Sequence, residues 1–397
     1  MAETRKASRF IVPVAVAGVA AATIGLVPAL AASGDPDLPE ITAKQLIEKI
    51  AASDTQTLSG TFKISTDLGL PALDGLASGL GGLDGGDGGP SSADPSEKLT
   101  ELVSGSHTLR IAADGPERQR LTLLDGSDEY SLIHNGDDVW AYDSKSNEAF
   151  HEKGASGGEK PEKKLPGTPK ELADEVLKAA GDTTSITVDG TAKVAGRDAY
   201  QLVIKPKQSG STVESVKIAV DAANGTPLKF TLSSVEGGKP IVDAGFTKVD
   251  FGKPAASEFT FTAPKGAKVT EGAAEKGEKA PGDLPEGFEE GIPGLGDVFG
   301  GAGLVPGSGS GEGPTVIGEG WTTIARLDTG APAPKTDEAP KEIQGFLDSF
   351  GDKVTGKFGS GTVFKTKLVN ALLTDDGKVY VGAVTKDALV DAANSGK

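Results

Sequence analysis

Three histidines, one Gly-x-Ser-x-Gly string, a few paired carboxylates and two neighbouring arginines are the residues of this chain whose types and spacing could do chemistry. His107, His134 and His151 fall on separate strand-like segments without metal-ligand spacing such as HExxH. Gly154-Ala155-Ser156-Gly157-Gly158 fits the nucleophile-elbow string, but an elbow needs a strand before it and a helix after it. Here it sits in GASGGEKPEKK, a loop composition that supplies neither. Asp84 and Asp87 lack the spacing of a calcium loop. Asp137-Asp138 and Asp375-Asp376 stand beside turn glycines, where carboxylates serve turn chemistry and solubility. Arg118 and Arg120 share one strand face, either as a solvated face or as rim charges for an anionic headgroup. The absence of cysteine removes disulfides, thiolate metal sites, Cys nucleophiles and a lipid-modified Cys. This inventory predicts no enzyme, no cofactor and no metal.

The elements that must carry these residues are mostly strands. Period-2 alternation marks strands at 58–67, 104–114, 117–124, 129–134, 138–143, 147–152, 184–189, 199–205, 212–220, 227–235, 241–250 and 258–262. Asp125-Gly126 and Asn135-Gly136 fall where hairpin turns belong, because both dipeptides tolerate positive φ. A helix over 41–53 opens on a Thr42/Gln45 capping box, and a second over 168–177 opens on Thr168-Pro169-Lys170-Glu171. Each strand shows one apolar and one mostly polar face. The fold class is therefore mainly β (α+β): a curved antiparallel half-barrel with covering helices, plus a small α+β C-terminal unit. That unit should hold strands at 319–327, 362–374 and 378–384, an amphipathic helix on Ile343, Phe346, Leu347 and Phe350, and a closing helix over 385–393.

Composition divides the 397 residues. Residues 1–32 carry Arg5, Lys6 and Arg9 ahead of an uncharged run at 10–30 and a small-residue Ala29-Leu30-Ala31 site. The run is close to the ~20 residues a bilayer span needs, so it is a cleaved signal peptide or a retained anchor. Either way the remainder is expected outside the cytoplasmic membrane, secreted or anchored to its outer face. Residues 38–270 form the half-barrel domain, interrupted by a Gly-rich insertion at 69–97; 271–314 is a Gly/Pro/acidic linker; 315–397 is the C-terminal domain. Lys+Arg 40 against Asp+Glu 57 gives a net charge of -17, which disfavours nucleic acid and anionic surfaces. A monomer is expected.

Several segments resemble the lipoprotein-carrier fold shared by LolA, LolB and the envelope-stress regulator RseB. SLIHNGDDVWAYD is similar to that family's central hairpin and EFTFTAPKGAKV to its final strand, with GTPLKFTLSSVEGG in the place of an intervening strand. The resemblance spans residues 41–270. It implies an apolar concave face sheltering the acyl chains of a lipid or lipoprotein, at about 0.8 kcal/mol per buried methylene. The position of the family's latch arginine holds Gly115. Candidate cavity residues are Phe62, Trp140, Tyr142, Leu202, Ile204, Leu228, Phe230, Leu232 and Phe246, each either cavity wall or packed core, with Arg118 and Arg120 at the rim. Two functions follow from the resemblance: an exported binding protein for lipid, acyl chain or lipoprotein, or an RseB-like regulator that senses envelope state and contacts a membrane signalling protein.

Overall fold

The structure, a computed structural model, describes residues 36–69, 105–153, 181–271, 315–328 and 351–396. The expected leader, the insertion beyond residue 69, the Gly-x-Ser-x-Gly string, the helices at 168–177 and 343–350 and the linker at 272–314 lie outside them. None of the described helices is long and apolar enough to cross a membrane.

Helix α1 (Ala43–Ala51) starts where the capping box places it. The Thr42 hydroxyl accepts from the Gln45 N–H at 3.2 Å, and the Gln45 side chain accepts from the Thr42 N–H at 2.9 Å. Twelve strands follow: β1 (Thr57–Thr66), β2 (Gly105–Asp114), β3 (Arg118–Asp125), β4 (Asp128–Asn135), β5 (Asp138–Asp143), β6 (Glu148–Lys153), β7 (Thr184–Val194), β8 (Arg197–Pro206), β9 (Val213–Asp221), β10 (Pro227–Ser234), β11 (Val242–Asp250) and β12 (Lys268–Glu271). They form one sheet in the order β12-β6-β5-β4-β3-β2-β1-β11-β10-β9-β8-β7. The ends, β12 and β7, are not paired with each other, so the sheet is open. Register shifts at Thr61/Phe62, Val188/Thr191 and Pro227/Lys229 insert bulges, which raise local twist. At the first of these the strands approach closely: a Cβ on Gly60 would lie 2.3 Å from the Lys248 carbonyl oxygen.

Two expectations for this sheet change. Residues 258–262 are not a strand: Ala256–Phe259 form a 3-10 turn within a strap that runs from β11 across the sheet to β12. Pro254 and Pro264 bracket the segment and cannot donate to a ladder, while Phe259 is buried at 1% exposure. The closing strand β12 pairs parallel with β6, so the sheet is mixed rather than wholly antiparallel.

The C-terminal unit is a six-stranded antiparallel sheet in the order β13-β14-β18-β17-β16-β15, made of β13 (Thr315–Ile317), β14 (Ile324–Asp328), β15 (Gly351–Gly356), β16 (Gly359–Phe364), β17 (Asn370–Thr374) and β18 (Lys378–Gly382). Helix α2 (Lys386–Asn394), capped by Thr385, packs Leu389, Ala392 and Ala393 onto Val363, Leu372 and Tyr380. The single strand expected over 362–374 is split into β16 and β17. Between them the Thr366 hydroxyl accepts from the N–H groups of Leu368 (3.1 Å) and Val369 (2.9 Å), closing a local turn that competes with the ladder. Likewise 319–327 begins as a 3-10 turn at Gly320–Thr322, and only Ile324–Asp328 is strand.

Candidate functional site

Register decides which predicted residues share a face. Leu202 pairs with Ile218, Ile218 with Phe230, Phe230 with Ala244 and Ala244 with Ile64. One rung along, Ile204, Val216, Leu232 and Val242 form a parallel row. Beyond β1 the same face carries Phe62, Leu109, Leu123 and Tyr130, then Leu132, Ala141 and Phe150. An apolar layer therefore runs across the sheet from β8 to β6.

Its two halves are covered differently. Over β7–β9, Leu46 and Ile47 of α1 bury Tyr200, Leu202 and Val220, with Ile204 packed alongside. At the end of β9–β11, Trp321 and Leu368 of the C-terminal unit meet Val213, Val216, Leu232 and Ile241, with Phe230 against them. In the β1–β6 half, Leu109, Leu123, Tyr130 and Ala141 are buried, whereas Phe62, Ile64, Ile111, Leu121, Leu132 and Phe150 around them are half-buried. Leu228 and Phe246 belong to a separate cluster with Val194, Ala199 and Ala219, because the Pro227/Lys229 shift turns Leu228 out of the row. Phe62 touches that cluster through an edge-on contact with Phe246 at 5.2 Å.

Trp140 and Tyr142 lie on the other face. The row Arg120–Ile133–Trp140–His151 alternates with the apolar one. Trp140 stacks on His151 at 3.9 Å and meets Phe261 of the strap at 5.2 Å; Tyr142 meets Phe261 at 5.4 Å and donates to Asn147 at 3.1 Å. These aromatics thus fasten the strap to the sheet. His151 completes the fastening: Nδ1 lies 2.9 Å from a Glu271 carboxylate oxygen and Nε2 lies 3.0 Å from one of Asp138. The variant His151→Phe keeps the stacking surface and removes both polar contacts. Its expected cost is about 0.5–1 kcal/mol, because both carboxylates are solvent-accessible. Amide exchange of residues 268–271 should accelerate while that of β3 and β4 stays unchanged.

Arg118 and Arg120 also separate. Arg118 pairs with Asp114, which Lys253 of the strap also reaches at 3.3 Å. Arg120 donates to Thr122 (3.2 Å) and to the Glu258 carbonyl (3.3 Å), and lies 3.5 Å from the Ser131 hydroxyl. It borders a cleft of about 540 Å³ between the strap and strands β11, β1, β2 and β3. Arg110 and Lys248 line the same cleft and do not stand out in the sequence. A signal for Arg110 is present in HTLRIAAD, where a cation alternates with Leu109 and Ile111 and so must face away from the apolar layer.

His107, His134 and His151 stand apart on β2, β4 and β6, and among the described residues no group of His, Asp and Glu is arranged to hold a metal ion.

Residues 99–264 match the family described as the MucB/RseB N-terminal domain. No curated protein matches the chain by sequence. Among solved structures, the chain is similar to the MucA/MucB complex of Pseudomonas aeruginosa, at 15% identity over 88% of this chain and 96% of that one, with a TM-score of 0.38. It is also similar to an uncharacterized conserved protein of Thermus thermophilus, at 11% identity over 58% and 98%, TM-score 0.30. A LolA superfamily protein of Nitrosomonas europaea matches at 11% identity over 56% and 99%, TM-score 0.20.

Proposed function

We propose, from the match of residues 99–264 to the MucB/RseB N-terminal domain, that this chain is an extracytoplasmic, non-enzymatic regulator that contacts a membrane signalling protein. Proteins of the MucB/RseB and LolA-like families are non-catalytic binding proteins, and the MucB/RseB family is periplasmic. The partner class is of the kind represented by MucA in the complex with MucB, carried here as a proposal only. The six-stranded unit docked on the large sheet fits a regulator, since it adds surface that a plain carrier does not need.

A second reading has its own support. The half-buried apolar patch of Phe62, Ile64, Ile111, Leu121, Leu132 and Phe150 suits an acyl chain, which would make the protein a lipid-responsive regulator or a carrier. Photo-cross-linking in cells from position Leu121 separates the two. Recurrent capture of one integral membrane protein supports regulation; capture of lipid alone supports carriage, and capture of neither removes both. Leu121→Asp places a charge in the patch. It should weaken uptake of a fluorescent fatty acid by about tenfold or more, the loss of roughly two methylene contacts. Uptake equal to that of the parent protein would exclude the patch as an acyl site.

A further inference from the structure

We infer that the cleft under the strap, on the face opposite the apolar layer, binds a small anionic group, a phosphate ester or a carboxylate, through Arg110, Arg120 and Lys248. Register brings these cations together. Thr61 pairs with Lys248 on one side and with Arg110 on the other, so the three form one cross-strand row. Neighbouring strands are about 4.8 Å apart, which places the two cations roughly 10 Å from each other with a hydroxyl between them. Arg120 pairs with Ala112, two residues along β2 from Arg110 and on the same face. Ser59 and Thr61 line the floor as further donors.

These cations differ from others in the fold. Arg118, Lys193, Arg197, Lys229, Lys268, Lys367 and Lys378 each hold a carboxylate. Among the described residues, Arg110, Arg120 and Lys248 form no ion pair. The Arg120 guanidinium is oriented by neutral oxygens of Thr122, Ser131 and Glu258, which fix its plane without neutralising its charge. Thr122 and Ser131 are 3% and 1% exposed and bond to each other at 3.0 Å, so the floor beneath that guanidinium is rigid. In a chain with a net charge of -17, three such cations converging on one recess run against the overall trend. Glu129, Asp250 and Glu258 also line the cleft, and one Asp250 oxygen accepts the Gly252 N–H at 2.7 Å. Those carboxylates restrict the site to a compact anion and oppose an extended polyanion.

The test is calorimetric titration of the full chain with inorganic phosphate at low ionic strength. Binding is expected, falling as salt is raised, and weakened by about tenfold or more in the Arg110→Gln/Lys248→Gln double variant. Both side chains are exposed, so the double variant should fold, and its melting curve checks this. Arg118→Gln, on the strand of Arg120 but paired with Asp114, should bind like the parent. Parallel titrations with phosphatidylglycerol and phosphatidylcholine vesicles distinguish sources. Binding of phosphatidylglycerol alone, lost in the double variant, identifies a lipid headgroup; phosphate binding without vesicle binding identifies a soluble anion. No heat with either ligand, or equal affinity in parent and double variant, overturns the inference. It does not depend on the regulator reading, which concerns a protein partner.

Discussion

Replacing Trp321 with Ala is expected to undock the six-stranded sheet from the twelve-stranded one, at a cost of about 3–5 kcal/mol. The indole is 6% exposed and fills the junction formed by Val213, Val216, Leu232, Ile241 and Leu368. Its N–H donates to the Thr184 hydroxyl at 2.7 Å, and its backbone N–H donates to the Gln208 side chain at 2.9 Å. Truncation leaves a cavity and removes the indole bond to Thr184, whose hydroxyl keeps its contact with Thr183, so the transfer and hydrogen-bond losses add. The remaining junction is mainly polar: Thr212 N–H to the Ala383 carbonyl (3.0 Å), Thr385 N–H to Gly210 (2.7 Å) and Lys367 N–H to Leu68 (2.9 Å), with side-chain bonds from Ser211, Thr212, Ser234 and Gln208 and the Lys367–Asp67 ion pair beside them. Such bonds give direction but little net free energy once water competes for them. Thermal unfolding should therefore split into two transitions, and limited proteolysis should release the C-terminal unit from the twelve-stranded sheet. Trp321→Phe, which keeps most of the area and loses the indole N–H, should cost about 1–2 kcal/mol and keep one transition. A single unshifted transition in Trp321→Ala would mean that the polar contacts hold the units without the indole.

That junction is the part of the fold least legible in the sequence. Strands are legible because each has one apolar and one polar face, so alternation in segments such as AYQLVIKPK and KFTLSS reports burial directly. The turn glycines are legible for a similar reason: Gly126, Gly136 and Gly377 have φ of +60°, +63° and +85°, where side chains are disfavoured. The capping box of α1 is a local signal, and it sets the start of that helix. Trp321 and Leu368 leave no such trace. They sit on a 3-10 turn and a loop, and what buries them is a surface contributed by strands far away in sequence. The strap misleads for a related reason: EFTFT alternates like a strand, yet Phe259 and Phe261 cover the sheet face instead of joining its ladder. Parity alone also groups site residues wrongly. Trp140 and Tyr142 do share one side of β5, but that side is opposite Leu202 and Phe230, and only cross-strand register reveals it.

Asp221→Asn should destabilise the large sheet by about 2–4 kcal/mol near neutral pH, and the deficit should vanish in acid. The carboxylate is 1% exposed and serves several donors at once. Arg197 donates to it through Nε and through Nη2, the latter at 3.0 Å, and the N–H groups of Ala223 and Asn224 donate at 2.9 and 3.0 Å. Burial alone would push this carboxyl up; the Arg197 guanidinium and the two turn N–H groups outweigh it and hold the carboxyl below the usual aspartate value. The lowered group binds its proton more weakly when folded than when unfolded. Its stabilisation is therefore complete above the unfolded value of about 3.9 and is lost as pH falls through the lower folded value. Parent and variant should differ by a constant amount between about pH 5 and 8 and converge below about pH 4. Arg197 stays about one-third exposed over the Phe251 ring, so its abandoned charge can hydrate, and the cost falls short of that for a fully buried pair. The effect reaches the apolar layer, because the turn Asp221 organises is pressed against α1. Gly225 has φ of +78°, a Cβ there would lie 2.3 Å from the Lys49 carbonyl oxygen, and Lys49 donates to the Ala223 carbonyl at 3.4 Å. A loosened turn should thus loosen the helix that covers Tyr200 and Leu202, seen as faster exchange in α1 before global unfolding. A deficit that persisted unchanged at pH 3 would show that shape at this turn, rather than the charge of Asp221, sets its stability.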